Sequence, residues 1–379
     1  MITTKITTKR GSRLTTVILL LLLHPLLAIQ AKNNQPALLP MPQKIEWHDR
    51  QQSLARVMVE ASIHRDEIED LLKENGSTIA KQAALKLTVS MVASITQAAV
   101  NQGEAYRLKV EPQQIRIEAT AEKGVYNALQ TLRQLITQKN GTPYIRCCEI
   151  VDWPAFSIRG FMHDTGRGFL SMDELKSEIA LLSRFKINVF HWHLTEDVAW
   201  RLESKLFPML NDSANMVRLP GKFYTIAQAK ELMDYCRKHQ VMLIPEIDMP
   251  GHCAAFTRAF RHDMQSPDGM KILKLLMDEV CETFSDCAYI HIGTDEVQFT
   301  NPDFVPEMVR HIRSKGKKVI SWNPGWHYKA GEIDMTHLWS YRGKPTPGIP
   351  AIDSRLHYIN HYDAFADLAA EGLVELPVV

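Results

Sequence analysis

Residues 288–299 read AYIHIGTDEVQF, an apolar run that ends in two adjacent carboxylates, Asp295 and Glu296. Tyr289, Ile290 and Ile292 suit a strand core. Gly293 lets the backbone turn or approach a ligand closely. An isolated Asp-Glu pair is ordinarily a solvated loop, but this pair is one of a series. Asp164 ends IRGFMHD and Arg167 follows it, and His191, His193, Glu196, Asp197 and Trp200 lie in NVFHWHLTEDVAW. Glu246, Asp248 and His252 lie in VMLIPEIDMPGH, Trp322 ends KVISW, Trp339 lies in MTHLWSY, and Tyr358 and Asn360 close AIDSRLHYIN. Core packing does not call for charged groups at successive strand tips, so these residues read as one site. Aromatic walls around carboxylates and an arginine suit a sugar, whose apolar faces stack on rings while its hydroxyls bond to Arg, Asp and Glu. Ordinary glycosidases oppose two carboxyls across the scissile bond, about 5–5.5 Å or about 6.5–9.5 Å apart. Adjacent residues do not easily flank a bond in that way. They suit a scheme in which one acid protonates the leaving oxygen and the other grips a nucleophile supplied by the substrate.

The elements that must position these groups alternate from residue 151 onward. Strand-like runs at 158–164, 188–194, 241–247, 289–293, 318–322, 335–341 and 351–358 are separated by helical patterns near 171–185, 226–239, 269–284 and 303–315. That alternation calls for a parallel sheet covered by helices. It predicts an α/β fold, a (β/α)8 TIM barrel whose active site lies at the C-terminal strand ends. No GxGxxG or Walker motif favours a doubly wound nucleotide fold. The seventh strand is followed by a helical stretch and VELPVV, a short strand candidate in an odd position, so the expectation is a barrel over 151–379 lacking its last strand. Residues 32–150 read as a small α+β domain: a Pro- and Asn-rich linker to residue 43, strands at 56–61, 84–90, 105–110 and 114–119, and helices at 63–74 and 123–136.

Lys plus Arg is 44 against 43 Asp plus Glu, a net charge of +1, so nothing points to a nucleic-acid partner. Apolar residues at 45% and charged residues at 23% fit a globular chain. Lys5, Lys9, Arg10 and Arg13 precede the apolar run VILLLLLHPLLA at 17–28. A basic segment before a short apolar run is the pattern of a signal peptide, here residues 1–31. The expectation is therefore a secreted or periplasmic protein with no stable membrane span after cleavage. The six cysteines have irregular spacing and no CxxC, so buried free thiols are expected rather than a zinc site. Oligomeric state is not legible in these numbers.

The motif HIGTDEV resembles the His-x-Gly-Gly-Asp-Glu motif of glycoside hydrolase family 20, the β-N-acetylhexosaminidases, with Thr294 in place of the second glycine. IRGFMHDTGRGF, NVFHWHLTEDVAWRLE and LIPEIDMPGH resemble that family's first three barrel strands. MPQKIEW and KGVYNALQTLRQL resemble its N-terminal non-catalytic domain, so the likeness runs over about residues 41 to 362. It implies exo-acting hydrolysis of terminal β-linked N-acetylhexosamine without cofactor or metal. The substrate's own acetamido carbonyl attacks C1 and forms an oxazolinium intermediate. It also implies roles by position. Glu296 is the general acid, then base, and Asp295 holds the acetamido N–H. Arg167 binds sugar hydroxyls, Trp322, Trp339 and Tyr358 form the acetamido pocket, and His252 with Glu196 supports the acid. Asn360 matches a position where the family holds Asp or Asn, whereas Glu196 stands where Asp is usual. The family's closing Trp and acid have no counterpart, so the chain is expected to be a truncated member. Two alternatives follow: an inert or glycan-binding remnant, and a metal-dependent barrel hydrolase suggested by the His-x-His spacing of HWH.

Overall fold

A computed structural model describes residues 36–355. The chain divides into two compact units between Pro154 and Ala155.

The first unit is built on a mixed sheet. Its strands are β1 (Lys44–Ser53), β2 (Arg56–Glu60), β3 (Thr78–Ile79), β4 (Leu85–Met91), β5 (Tyr106–Glu111), β6 (Gln114–Ala119), β7 (Ile136–Lys139) and β8 (Thr142–Asp152). They run in the order β1-β8-β5-β6-β4-β2-β3, with β7 also on β8. β5 and β6 form an antiparallel hairpin in which every second residue is buried, as their apolar alternation requires. Helices α1 (Arg65–Glu74) and α2 (Glu122–Leu135) bury Ile68, Leu71, Leu72, Val125, Leu129 and Leu132 in the same core as that sheet.

The second unit is a sheet of seven parallel strands: β9 (Gly160–Asp164), β10 (Val189–His193), β13 (Met242–Glu246), β14 (Tyr289–His291), β15 (Lys318–Asn323), β16 (Met335–Leu338) and β17 (Ala351–Asp353). They pair in chain order, the arrangement of a (β/α)-barrel. A small ribbon of β11 (Thr195–Glu196) and β12 (Ala199–Trp200) follows β10. Among the described residues β9 and β17 each pair on one side only. Tyr358, Asn360 and the VELPVV stretch lie outside the described residues, as does the segment read as a signal peptide. Within the described residues no helix is long and apolar enough to cross a membrane.

The helices are α3 (Met172–Arg184), α4 (Ile226–Lys238), α5 (Ala254–Phe260), α6 (Pro267–Thr283) and α7 (Phe304–Ser314). Capping boxes fix two of their starts: Ser171 with Glu174 for α3, and Thr225 with Gln228 for α4. Ser266 caps α6, and Pro267 occupies its first turn.

Strand alternation sorts the barrel residues onto two faces. Phe190, Trp192, Leu243, Ile290 and Val319 join the core that holds buried residues of the helices. Their neighbours on the other face form layers. Val189, Ile244, Ile320 and Met335 make an apolar layer with Ile352. Two residues further along their strands come His191, Glu246, Trp322 and His337, all buried, with His291 beside them. The period of two along a strand thus places a polar layer between the apolar floor and the strand tips.

Candidate active site

The polar layer centres on Glu246, which is fully buried. Its Oε1 accepts the indole N–H of Trp322 at 2.7 Å. His291 Nδ1 lies 3.1 Å from the same oxygen. His191 Nε2 and His193 Nδ1 stand 2.7 and 2.8 Å from Oε2, as ion-pair contacts without hydrogen-bond alignment. Burial opposes the charge on Glu246, but His291, His193 and His191 outweigh it and hold the carboxyl well below its usual range. Burial likewise opposes the charge on His193, yet Glu246 and Glu196 push its pKa well up. For His291 burial prevails and its pKa falls to about 4. The layer therefore carries a buried carboxylate beside an imidazolium, a pairing that offsets part of the cost of burying either charge.

His191, Glu246 and His291 also bring ligand atoms within 4.8 Å of one another. Two ligands on one tetrahedral zinc lie about 3.3 Å apart, given bonds of about 2.0–2.1 Å. His191 Nε2 stands only 2.7 Å from Glu246 Oε2, closer than two ligands of one tetrahedral zinc, so the cluster as it stands does not fit that ion.

Above this layer the strand tips form a second network. Arg167, on the turn after β9, donates from Nη1 to Asp164 Oδ2 at 2.6 Å, and its Nη2 pairs with Glu196. Glu196 is 3% exposed, and its Oε2 accepts the Asp197 backbone N–H at 2.8 Å. Burial works against its charge, but His193, His252 and that N–H hold the carboxyl far below its ordinary value. His252 joins this network to the motif pair. Its Nδ1 is 3.3 Å from Glu196 Oε1, and its Nε2 is 3.4 Å from Glu296 Oε2 and 3.9 Å from Asp295 Oδ2. Asp295 and Glu296 differ sharply in setting, with side chains 14% and 57% exposed. Burial, then Glu246, pushes the Asp295 pKa up to about 6 against the pull of His252.

The pair of acids sits on a tightly wound turn. Gly293, Thr294 and Glu296 all have positive φ, at 64°, 87° and 49°. At Gly293 an added Cβ would lie 1.7 Å from Asp248 Oδ1. We expect Gly293→Ala to destabilise the fold by about 2–4 kcal/mol, combining a strained φ with a clash against a buried side chain. Denaturant unfolding checks this, and an unchanged midpoint would count against the tightness of the turn.

His252 supplies a pH-dependent prediction. Its interaction with Glu196 outweighs burial and raises its pKa from 6.5 to about 9. A raised folded-state pKa contributes stability that is fully present below 6.5 and lost as pH rises through 9. The melting temperature should therefore fall between those values, and fall less in His252→Gln. Equal slopes in both proteins would remove His252 from the account.

The residues expected from sequence separate into groups. Arg167, Glu196, His252, Asp295 and Glu296 stand in one contact network. Trp322 lies beneath it in the polar layer, 5% exposed. Trp339 follows β16, and its indole N–H donates to the Pro324 carbonyl at 2.9 Å, on the loop after β15. Tyr358 and Asn360 are outside the described residues. Sequence reading did not single out His291 or His337, and it left Arg201 aside. Arg201 is fully buried and donates to the carbonyls of Gly166, Arg218, Leu219 and Lys222, pinning the backbone next to Arg167. Its signal was a charge inside an otherwise apolar strand pattern, AWRL. The six cysteines are all free, five of them buried and Cys253 partly so.

Comparison with known proteins agrees with this geometry. Residues 156–266 match the model described as glycosyl hydrolase family 20, catalytic domain, and residues 35–153 match glycosyl hydrolase family 20, domain 2. The Asp295–Glu296 turn lies beyond the matched segments. A β-N-acetylhexosaminidase of Cellulomonas fimi is 30% identical over 313 residues, covering 72% of this chain and 63% of that protein. A β-hexosaminidase of Porphyromonas gingivalis is 34% identical over 227 residues, covering 51% of this chain and 29% of that protein. The chain thus spans less than two thirds of the length of either relative. Among solved structures, a β-N-acetylhexosaminidase from Bacteroides fragilis superposes with a TM-score of 0.69 at 29% identity, covering 81% of this chain and 71% of that one.

Proposed function

The chain belongs to glycosyl hydrolase family 20, and on that premise we propose that it is an exo-acting glycosidase. Its substrates are glycans ending in β-linked N-acetylhexosamine, GlcNAc or GalNAc. The observation that carries the reading is the unequal pair at the end of β14. Exposed Glu296 and largely buried Asp295 are adjacent, with His252 Nε2 3.4 Å and 3.9 Å from their carboxyl oxygens.

In the proposed reaction the acetamido carbonyl oxygen attacks C1 as the bond from C1 to the leaving oxygen breaks. Glu296 gives its proton to that oxygen, and the sugar becomes an oxazolinium ion. Glu296, now a carboxylate, takes a proton from water as that water attacks C1, which reopens the ring and restores the acid. C1 is inverted twice, so the product retains the β configuration. Asp295 accepts the acetamido N–H and faces the cationic intermediate with a negative charge. Arg167 offers guanidinium donors to sugar hydroxyls, with Glu196 and His252 holding the surrounding charges in place. Trp322, Trp339 and Tyr358 supply the acetamido pocket, and Asn360 a polar contact. We extend the reading to export, on the strength of the basic and apolar pattern of residues 1–31. Accumulation of the protein in the cytoplasm with residues 1–31 intact would count against it.

The test is turnover of an aryl N-acetyl-β-glucosaminide beside the matching aryl β-glucoside, before and after exhaustive chelation. Cleavage of the first alone, unchanged by chelator, is the expected result. Binding of GlcNAc without turnover would favour a non-catalytic glycan binder. Loss of activity on chelation would favour the metal reading.

A further inference from the structure

The turn carrying Asp295 and Glu296 is held by a chain of hydroxyls with no part in the chemistry above. Thr294 is completely buried, and its φ of 87° is one that β-branched residues rarely adopt. Such a conformation persists only where the surroundings over-determine it. Thr294 N–H donates to Asp248 Oδ1 at 3.2 Å. Thr294 Oγ1 lies 2.6 Å from Ser321 Oγ on β15, and Tyr328 OH donates to that same serine oxygen at 2.9 Å. Ser321 and Tyr328 are both buried. The loop between them closes onto the threonine: a Cβ at Gly325 would stand 2.8 Å from Thr294 Oγ1 and 2.7 Å from its carbonyl oxygen. The next residue, Trp326, packs edge-on against Phe299, with centroids 4.8 Å apart. Glu296 therefore lies between two points of attachment, Thr294 before it and Phe299 after it.

We propose that Thr294, Ser321 and Tyr328 form a hydroxyl chain that positions Glu296 for proton transfer. Thr294 is on this account a positioning residue, and the inference rests on the reading of Glu296 as the general acid. The threonine that departs from the Gly-Gly pattern is thus a side-chain clamp that replaces glycine's backbone freedom. Valine at 294 keeps the branched shape and the unfavourable φ but removes the hydroxyl, which isolates the clamp. Serine restores the hydroxyl.

The test uses the full chain as wild type, Thr294→Val, Thr294→Ser, Thr294→Gly, Tyr328→Phe and the Val/Phe double variant. Two aryl N-acetyl-β-glucosaminides, one with a poor leaving group and one activated, separate proton transfer from binding. Thr294→Val should lower kcat on the poor substrate about 10-fold, the scale of one lost hydrogen bond in the transition state. KM should change by less than about two-fold, and the activated substrate should lose less. Thr294→Ser should stay within about two-fold of wild type, and the double variant should lose no more than Thr294→Val, since both changes break one chain. Unchanged kcat in Thr294→Val overturns the proposal, as do equal losses on both substrates, additive losses in the double variant, or full activity in Thr294→Gly. If Thr294→Val fails to fold, Tyr328→Phe carries the same comparison: selective loss on the poor substrate supports the chain, and none refutes it. Absence of wild-type turnover would refute the enzymatic reading and this inference together. Wild-type turnover with indifferent variants would refute only the inference.

Discussion

Glu296→Gln is expected to slow release of a poor leaving group from an aryl N-acetyl-β-glucosaminide by about 10²–10⁴-fold, the usual worth of a positioned general acid. The substitution keeps the size and leaves one hydrogen-bond donor, but it cannot surrender a proton. Glu296 is the more exposed member of the pair, at 57%, as a group exchanging protons with a substrate and then with water must be. Its left-handed φ of 49° aims the side chain from a strained turn that Gly293 and Thr294 also share. An activated leaving group departs without a proton, so the same variant should cleave it with a smaller loss. Equal losses on both substrates would contradict the role.

Asp295→Asn is expected to lower kcat by about 10²–10³-fold, the scale of removing one preorganised stabiliser of transition-state charge. The carboxylate matters most as the oxazolinium forms, so turnover should suffer more than ground-state affinity. The variant should also bind a thiazoline mimic of that intermediate less tightly. Undiminished binding of the mimic would remove Asp295 from the acetamido clamp. The pH profile gives a second readout. Burial and Glu246 raise the Asp295 pKa to about 6, and the clamp needs the ionised form. Wild-type activity should therefore rise as pH passes upward through about 6, and that limb should disappear in Asp295→Asn.

Much of the barrel was legible because its strands carry their own punctuation. VFHWH and MLIPE are short apolar runs ending in polar groups, and they form β10 and β13 with boundaries within a residue or two of the sequence reading. The first unit was harder. β1 is mostly exposed and breaks register between Trp47 and Gln51, so its apolar pattern is faint. In β8 two successive cysteines interrupt the alternation, and both are buried. Helix α5, of 7 residues, is too short for a periodic signal.

The site was legible at its tips and opaque beneath them. Asp295, Glu296, His252 and Arg167 each end or follow a strand, and strand ends are where a barrel exposes its chemistry. His337 lies inside β16 and His291 is the last residue of the apolar run of β14, where a single histidine looks like ordinary core. Their part in the Glu246 layer follows only from register, which brings Glu246 opposite His291 and Trp322 opposite His337. The hydroxyl chain was equally hidden, because Thr294 and Ser321 stand 27 residues apart and meet only where the turn after β14 folds beside β15.

The most direct measurement of substrate assistance is the turnover of a series of aryl N-acyl-β-glucosaminides with zero to three fluorines on the acyl methyl. Fluorine withdraws electrons from the carbonyl oxygen without altering the leaving group. If that oxygen is the nucleophile held by Asp295, kcat/KM should fall steeply and progressively along the series. A rate indifferent to fluorination would mean that water or an enzyme carboxylate attacks C1, and the account of the Asp295–Glu296 pair would be wrong.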